Sequence, residues 1–365
     1  MKKLFALLMV LALVFSMAAC GGQTDTGGGD ESADEVITIG VSMPTQSLQR
    51  WNEDGTYLKQ KLEAAGYAVD LQYGGDNDIP TQVAQIENMI TQGCKVLVIA
   101  AIDGSSLTEV LKPAKEAGIP VIAYDRLIMN SDAVSYYATF DNFLVGVMQG
   151  EYVKEALDLD NAEGPFNIEL FTGDPADNNA TFFFGGSMSV LQPYIDSGKL
   201  KVLSGQTTQA QVSTQDWKAE NAQTRMENLI TSVGYSPKGV KLHAVVCNND
   251  STALGVTNAL LSVGYTAEDM PIITGQDCDK ANVKNMIAGY QSMSVFKDTR
   301  TLAGKVVEMV EAIVKGGEPE INDTETYDNG LGIVPSYLCA PVVCTKDNYK
   351  ELLIDSGYYT EADIQ

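Results

Sequence analysis

From Glu35 onward the chain alternates short, unbroken apolar runs with amphipathic stretches of helical length, and no other feature constrains its fold as strongly. "VITIGVSM" precedes a helical stretch from about Leu48 to Ala65 that stops at Gly66. "VDLQY" precedes "TQVAQIENMITQG", "KVLVIAAID" precedes "SLTEVLKPAKEAG", and "IPVIAYDR" closes the set. Unbroken runs suit strands covered on both faces, as a parallel sheet wound by crossover helices requires. The pattern then restarts with "FNIELFTG", "LKVLSG", "HAVVCNND" and "PIITGQD", with helices predicted near 179–197, 216–233, 250–263 and 279–288. The expected fold class is α/β, with two doubly wound parallel-sheet lobes.

The lobes echo each other. "GCKVLVIAAIDGSS" parallels "GVKLHAVVCNNDST", each a strand ending in polar residues that open a helix. In such sheets the polar carboxyl ends of strands face the crevice where ligands bind. Asp125 and Arg126, which end "PVIAYDR", are therefore expected at the rim of one lobe, with Asp277 at the matching rim of the other. A cleft of carboxylates, amides and guanidinium groups suits a sugar, whose hydroxyls both donate and accept. Its carbon–hydrogen faces suit the two tryptophans, Trp51 and Trp217. The post-strand loops carry neither of the glycine-rich phosphate motifs, so nucleotides are disfavoured.

Each candidate has a plainer reading. Asp103 and Asp250 precede Ser or Thr and suit helix N-caps; with Asp250 as the cap, Asn249 is free for the cleft. Trp51 and Trp217 could simply pack, and Lys297 could be an ordinary surface lysine. Asn178 and Asn179 in "DPADNNATFFFGG" follow a strand end and are read as cleft contacts; Arg50 and Trp51 open the first helix within reach of it. "GGDNDIP" lacks the acidic spacing of a calcium loop, so neither metal nor other cofactor is expected.

The chain has 365 residues and a formal charge of −24, enough length for about two domains and a poor match for nucleic acid or anionic lipid surfaces. Its single histidine, His243, lies in the apolar run "KLHAVVC", so a histidine-based catalytic triad or a paired-histidine zinc site is not expected. Residues 1–20 read as a signal peptide, with Lys2 and Lys3 before a short apolar run that ends at Cys20. "MAAC" is similar to a lipobox, which makes Cys20 the expected lipid attachment site. Residues 21–35 are glycine-rich and polar and read as a flexible linker. The body is thus expected outside the cytoplasmic membrane, touching it only through the N-terminal lipid. The other cysteines, Cys94, Cys247, Cys278, Cys339 and Cys344, are read as buried thiols; Cys339–Cys344 and Cys247–Cys278 are the disulfide alternatives.

The strings "RWNEDG", "IENMITQG", "VLVIAAIDG", "VIAYDRLIMNS", "VSYYATFDN", "GPFNIELFTGDPADNNA", "SGQD" and "FKDTR" resemble the ribose- and xylose-type sugar-binding proteins of bacterial ABC importers. The likeness covers the chain from about Ile37 to Gln365 and is greatest to the virulence-associated multiple-sugar-binding branch. It implies the type I periplasmic-binding-protein fold with a three-strand hinge, crossed near Phe140, Phe296 and Gly330. The lobes would then be 36–140 with 297–330, and 141–296 with 331–365, the last carrying a terminal helix in "TKDNYKELLIDSGYYT". Sugar contacts implied by the resemblance are Arg50, Asp125, Arg126, Asn178, Asn179, Trp217, Asn249, Asp277 and Lys297. "TTQAQVSTQDW" departs from the branch pattern before Trp217. The expected function is a monomeric, lipid-anchored receptor that captures a pentose or hexose such as xylose, glucose or galactose and delivers it to an ABC permease. The alternatives are a sugar sensor read by a chemoreceptor or kinase and, last, an exported glycoside hydrolase using Asp125 and Asp277.

Overall fold

Two separate sheets take up the apolar runs of the sequence. The computed structural model describes residues 36–364; the signal peptide, Cys20 and the glycine-rich linker lie outside the described residues. The strands are β1 (Thr38–Met43), β2 (Ala68–Tyr73), β3 (Val96–Ile99), β4 (Val121–Tyr124), β5 (Val134–Phe140), β6 (Phe166–Phe171), β7 (Leu200–Lys201), β8 (Ala244–Cys247), β9 (Ile272–Ile273), β10 (Ser294–Phe296), β11 (Ser336–Cys339) and β12 (Val342–Cys344). The first sheet has the order β11-β5-β4-β3-β1-β2 and is parallel throughout. The second runs β7-β6-β8-β9, also parallel. A parallel bridge between Gln276 and Val295 extends it to β10, against which β12 lies antiparallel.

Burial explains why these strands lack alternation. Every residue of β3, β4 and β8 is buried. Val96, Val98, Ile122 and Tyr124 join one core, and Leu97, Ile99, Val121 and Ala123 join the core on the opposite face. In β8, Val245 and Cys247 face one core while Ala244 and Val246 face another. At roughly 1.5–3 kcal/mol for each large side chain buried, these four layers hold both sheets between helices.

Three connections cross between the sheets. The first two leave β5 and β10 and enter helices Asn142–Ala156 and Thr299–Val314 through aspartate caps: Asp141 accepts from Leu144 N at 2.9 Å and Asp298 from Arg300 N at 3.0 Å. Helix Thr299–Val314 returns to the first sheet, where Leu302, Val306 and Val310 share a core with Leu58 and Leu62 of helix Gln49–Ala64. The third crossing is not near Gly330. Gly330 (φ +91°) sits in a reversal closed by an Asp328–Ile333 bridge, and β11 then pairs with β5. The chain therefore stays with the first sheet through Cys339 and enters the second at Val342, because the apolar run "SYLC" completes a parallel ladder before the chain leaves.

Two predicted helices are shorter than expected. "SLTEVLKPAKEAG" is helical only at Lys112–Glu116. Pro113 has no N–H for the Glu109 carbonyl, which takes a tighter bond from Lys112 N at 3.3 Å instead. The C-terminal stretch forms a wide turn at Lys350–Asp355 and a short helix at Glu361–Ile364, separated by Gly357 at φ +73°. His243 is half-buried, its Nδ1 accepting from Asn167 N at 2.9 Å, a local structural duty.

Candidate functional site

In each sheet the strand order reverses at one place, between β1 and β3 in the first and between β6 and β8 in the second. Loops from these switch points, with the ends of β4 and β10 and the loop before β10, line one cleft. Its walls include Arg50, Trp51, Asp125, Arg126, Asn179, Trp217, Asn249, Asp277 and Lys297, so nine of the residues singled out in the sequence meet in one place.

Helix Gln49–Ala64 delivers Arg50 from its first turn. Arg50 Nε and Nη2 reach Asp54 Oδ2, one helical turn on, at 2.9 and 2.8 Å. Its Nη1 lies 3.0 Å from Asp125 Oδ2 and 3.6 Å from Asp277 Oδ1. Lys297, only 3% exposed, lies 3.0 Å from Asp277 Oδ1 and 3.9 Å from Asp125 Oδ2. Carboxylates from opposite sheets thus share two cations. Neither cation is aligned for a hydrogen bond to Asp125 Oδ2 or Asp277 Oδ1, although both oxygens are buried. On the other flank Arg126 Nε pairs with Asp177 Oδ2 at 3.1 Å.

Burial would raise the Asp125 carboxyl, but Arg50, Lys297 and Arg126 together hold it below the usual carboxylate range. Burial also works against the charge on Arg50, and Asp125, Asp54 and Asp277 outweigh it and push its pKa up. Asp54 is raised to about 6, burial overcoming its bonds from Arg50 and Tyr124. Asp279 is raised to about 8 by burial and by the like charges of Asp277 and Glu53.

Both tryptophans are almost fully buried against the cleft, at 2% and 4% exposure. The ring of Trp51 carries the guanidinium carbons of Arg50 and Arg126 at 4.5 and 5.0 Å from its centroid. Trp217 donates its indole N–H to Asp177 Oδ2 at 3.2 Å and stands edge-on to Phe183. Asp125, Trp217 and Asp277 all have left-handed backbones, with φ of 59°, 57° and 96°. Such conformations cost about 1–3 kcal/mol each and persist where the surroundings impose them, which is common at binding sites. Gly173 makes room for Trp217: a Cβ there would lie 1.8 Å from the indole. Gly173→Ala should displace the ring and weaken ligand binding by roughly tenfold, read by calorimetry.

Three sequence candidates lie elsewhere. Asp103 turns back onto its own loop, accepting from Ser105 N and Oγ at 2.7 Å, and does not line the cleft. Asn178 also stays off the cleft wall; its neighbour Asn179 takes the inward position. Asp250 is fully buried behind the wall, accepting from Gln291 Nε2, Ser294 Oγ and Asp279 N. Nor is Asp250 the helix cap: Asn249 Oδ1 accepts from Thr252 N at 2.9 Å, and Asn249 still faces the cleft. The cap falls one residue earlier because Asp250 is drawn into this buried network.

Asp54, Asp177, Phe183, Gln276 and Asp279 were missed. Asp54 carried a signal, the i, i+4 spacing from Arg50, and Asp177 lay within the asparagine-rich loop already singled out. The mouth of the cleft is spanned by Lys218 and Asp76 at 3.3 Å and by Gly104 N donating to Ala176 O at 3.2 Å. Asn179 Nδ2 also donates to the Asp125 carbonyl at 2.8 Å, tying the second sheet's loop to the first.

A family model described as periplasmic binding protein domain matches residues 39–318. The chain is 52% identical over 342 residues to the multiple sugar-binding periplasmic protein SbpA of Azospirillum brasilense, covering 93% of this chain and 94% of that protein. It is 38% identical over 328 residues to the D-xylose-binding periplasmic protein of Escherichia coli strain K12, covering 90% and 92%. Among solved structures, it is similar to an ABC-transporter solute-binding protein from Clostridium phytofermentans with bound β-D-glucose. The TM-score is 0.87 and the identity 63%, over 90% of this chain and all of that one.

Proposed function

Because this chain belongs to the periplasmic binding protein family, we propose that it is an extracytoplasmic receptor, tethered by lipid on Cys20, that captures a neutral monosaccharide between its lobes and delivers it to an ABC importer. The observation that carries the reading is the meeting of Asp125 and Asp277, from opposite sheets, around Arg50 and Lys297 in one cleft. Ring hydroxyls would donate to the buried carboxylate oxygens that no cation in the chain addresses with hydrogen-bond alignment. Arg50, Arg126 and Lys297 would donate in return, as would the side-chain amides of Asn179 and Asn249, whose oxygens already accept within the chain. Trp217, edge-on to Phe183, offers an apolar face for the sugar ring. A ligand touching both lobes favours the closed state in proportion to its extra contacts, and the Lys218–Asp76 pair at the mouth adds to that state.

Pentoses and hexoses are the ligand class, supported by the xylose and glucose in the descriptions of the relatives. The protein acts as a binder with no chemical step: Asp125, held below the usual carboxylate range, is a poor proton donor to a glycosidic oxygen. A thermal-shift screen over D-glucose, D-galactose, D-xylose, D-ribose and myo-inositol tests the proposal. Glucose or xylose at a hundred times its dissociation constant should stabilise the protein by about 2.7 kcal/mol. A flat response to every monosaccharide overturns it.

A further inference from the structure

All five cysteines of the described residues are buried thiols, and neither pairing open from the sequence, Cys339 with Cys344 or Cys247 with Cys278, is joined. The fold instead brings Cys278 and Cys344 together. In the β10–β12 ladder Ser294 is the register partner of Cys344, and the same Ser294 hydroxyl accepts from Cys278 N at 3.1 Å. Both side chains are 0% exposed and pack in one apolar cluster with Phe296, Tyr358 and Tyr359.

We propose that Cys278 and Cys344 are a disulfide-forming pair, closed by exchange with a small-molecule or enzyme-borne disulfide while the exported chain folds. This rests on the extracytoplasmic placement proposed above, since reducing compartments keep thiols apart. One cysteine thiolate attacks the external disulfide, forming a mixed disulfide and releasing one thiolate. The second cysteine attacks the protein sulfur of that intermediate, forming the Sγ–Sγ bond and releasing the other. Two electrons pass from the cysteine sulfurs to the reagent, which leaves as two thiols with the two protons. Complete burial protects the finished pair from exchange, so the bond forms before the C-terminal segment closes over it.

The pair has a place in the binding machinery. Cys278 follows Asp277, and its own φ of 53° continues the left-handed turn that aims the Asp277 carboxylate. Its carbonyl accepts from Tyr359 at 3.0 Å. Cys344 ends β12, the strand that follows the third crossing. A bond between them fixes the Asp277 turn to the strand leaving the hinge, entirely within the second lobe, so lobe closure stays free.

The test refolds the full chain with oxidised and reduced glutathione, or with dithiothreitol, and maps peptides by mass spectrometry without reduction. The expected result is one cross-linked species joining Cys278 to Cys344 and a melting temperature higher by roughly 5 °C or more in the oxidised sample. Glucose or xylose affinity should stay within threefold between the two samples. Cys278→Ala and Cys344→Ala should each abolish the redox-dependent shift. Free thiols at both positions after oxidative refolding, or cross-linking of either to another cysteine, overturns the proposal. Because wild-type peptides answer the question, an unstable variant leaves the test intact. Failure of sugar binding with the cross-link present would count against the proposed function alone.

Discussion

Asp125→Ala should weaken monosaccharide binding by at least tenfold, and by about a hundredfold if two hydroxyls donate to the carboxylate, without unfolding the protein. A hydrogen bond to a buried charged group contributes on the order of 1.5–3 kcal/mol, which sets that range. The fold should survive because the Asp125 carbonyl, not its side chain, anchors the loop. That carbonyl accepts from Tyr137 Oη at 2.6 Å, Thr139 Oγ1 at 3.0 Å and Asn179 Nδ2 at 2.8 Å. Asp125→Asn separates charge from shape, since asparagine tolerates the left-handed backbone at φ 59° and fills the same volume. Both variants should lose affinity, asparagine less than alanine. Calorimetry that finds wild-type affinity in either one removes Asp125 from the site.

Arg50→Met should cost about 3–5 kcal/mol of stability at pH 7, a fall in melting temperature of roughly 6–10 °C, because it strands carboxylates that the fold has buried. Arg50 is 8% exposed, and Asp54 and Asp125 are 0% and 3% exposed. The pH dependence has a definite sign. Asp54 is raised by burial from 3.8 to about 6, so the folded protein takes up its proton more readily than the unfolded chain. Stability linked to Asp54 is greatest below about pH 4 and is lost as pH rises through 6. Removing Arg50 takes away the charge that lowers this pKa, so the variant should be most impaired at pH 7–8 and should recover part of its deficit near pH 5. Chemical denaturation at both pH values checks this. An equal deficit at both would show that lost packing against Trp51, rather than stranded charge, dominates.

The double winding was legible because its cause is local. Strands buried on both faces must be apolar throughout, and the polar residues ending them must lie at the sheet rim, which made Asp125, Arg126 and Asp277 visible without coordinates. Glycine signals also held where the backbone demands them, as at Gly66 with φ +93° after the first helix. The third crossing was misplaced because a glycine turn looks the same whether the chain doubles back or leaves the lobe; only the ladder between β11 and β5 distinguishes the two. Asp103 and Asn178 looked as suitable as their neighbours, since polarity marks a rim but not which way a side chain turns on it.

The amino-acid order by itself determined the two-sheet architecture and the residue types available to the cleft, because periodicity and strand-end chemistry depend on near neighbours. Which distant groups meet was decided only by the tertiary structure: Arg50 between Asp125 and Asp277, and Cys278 beside Cys344. Those pairings join residues tens to hundreds of positions apart. Their energies depend on distance and burial, which come into being only when the sheets are brought face to face.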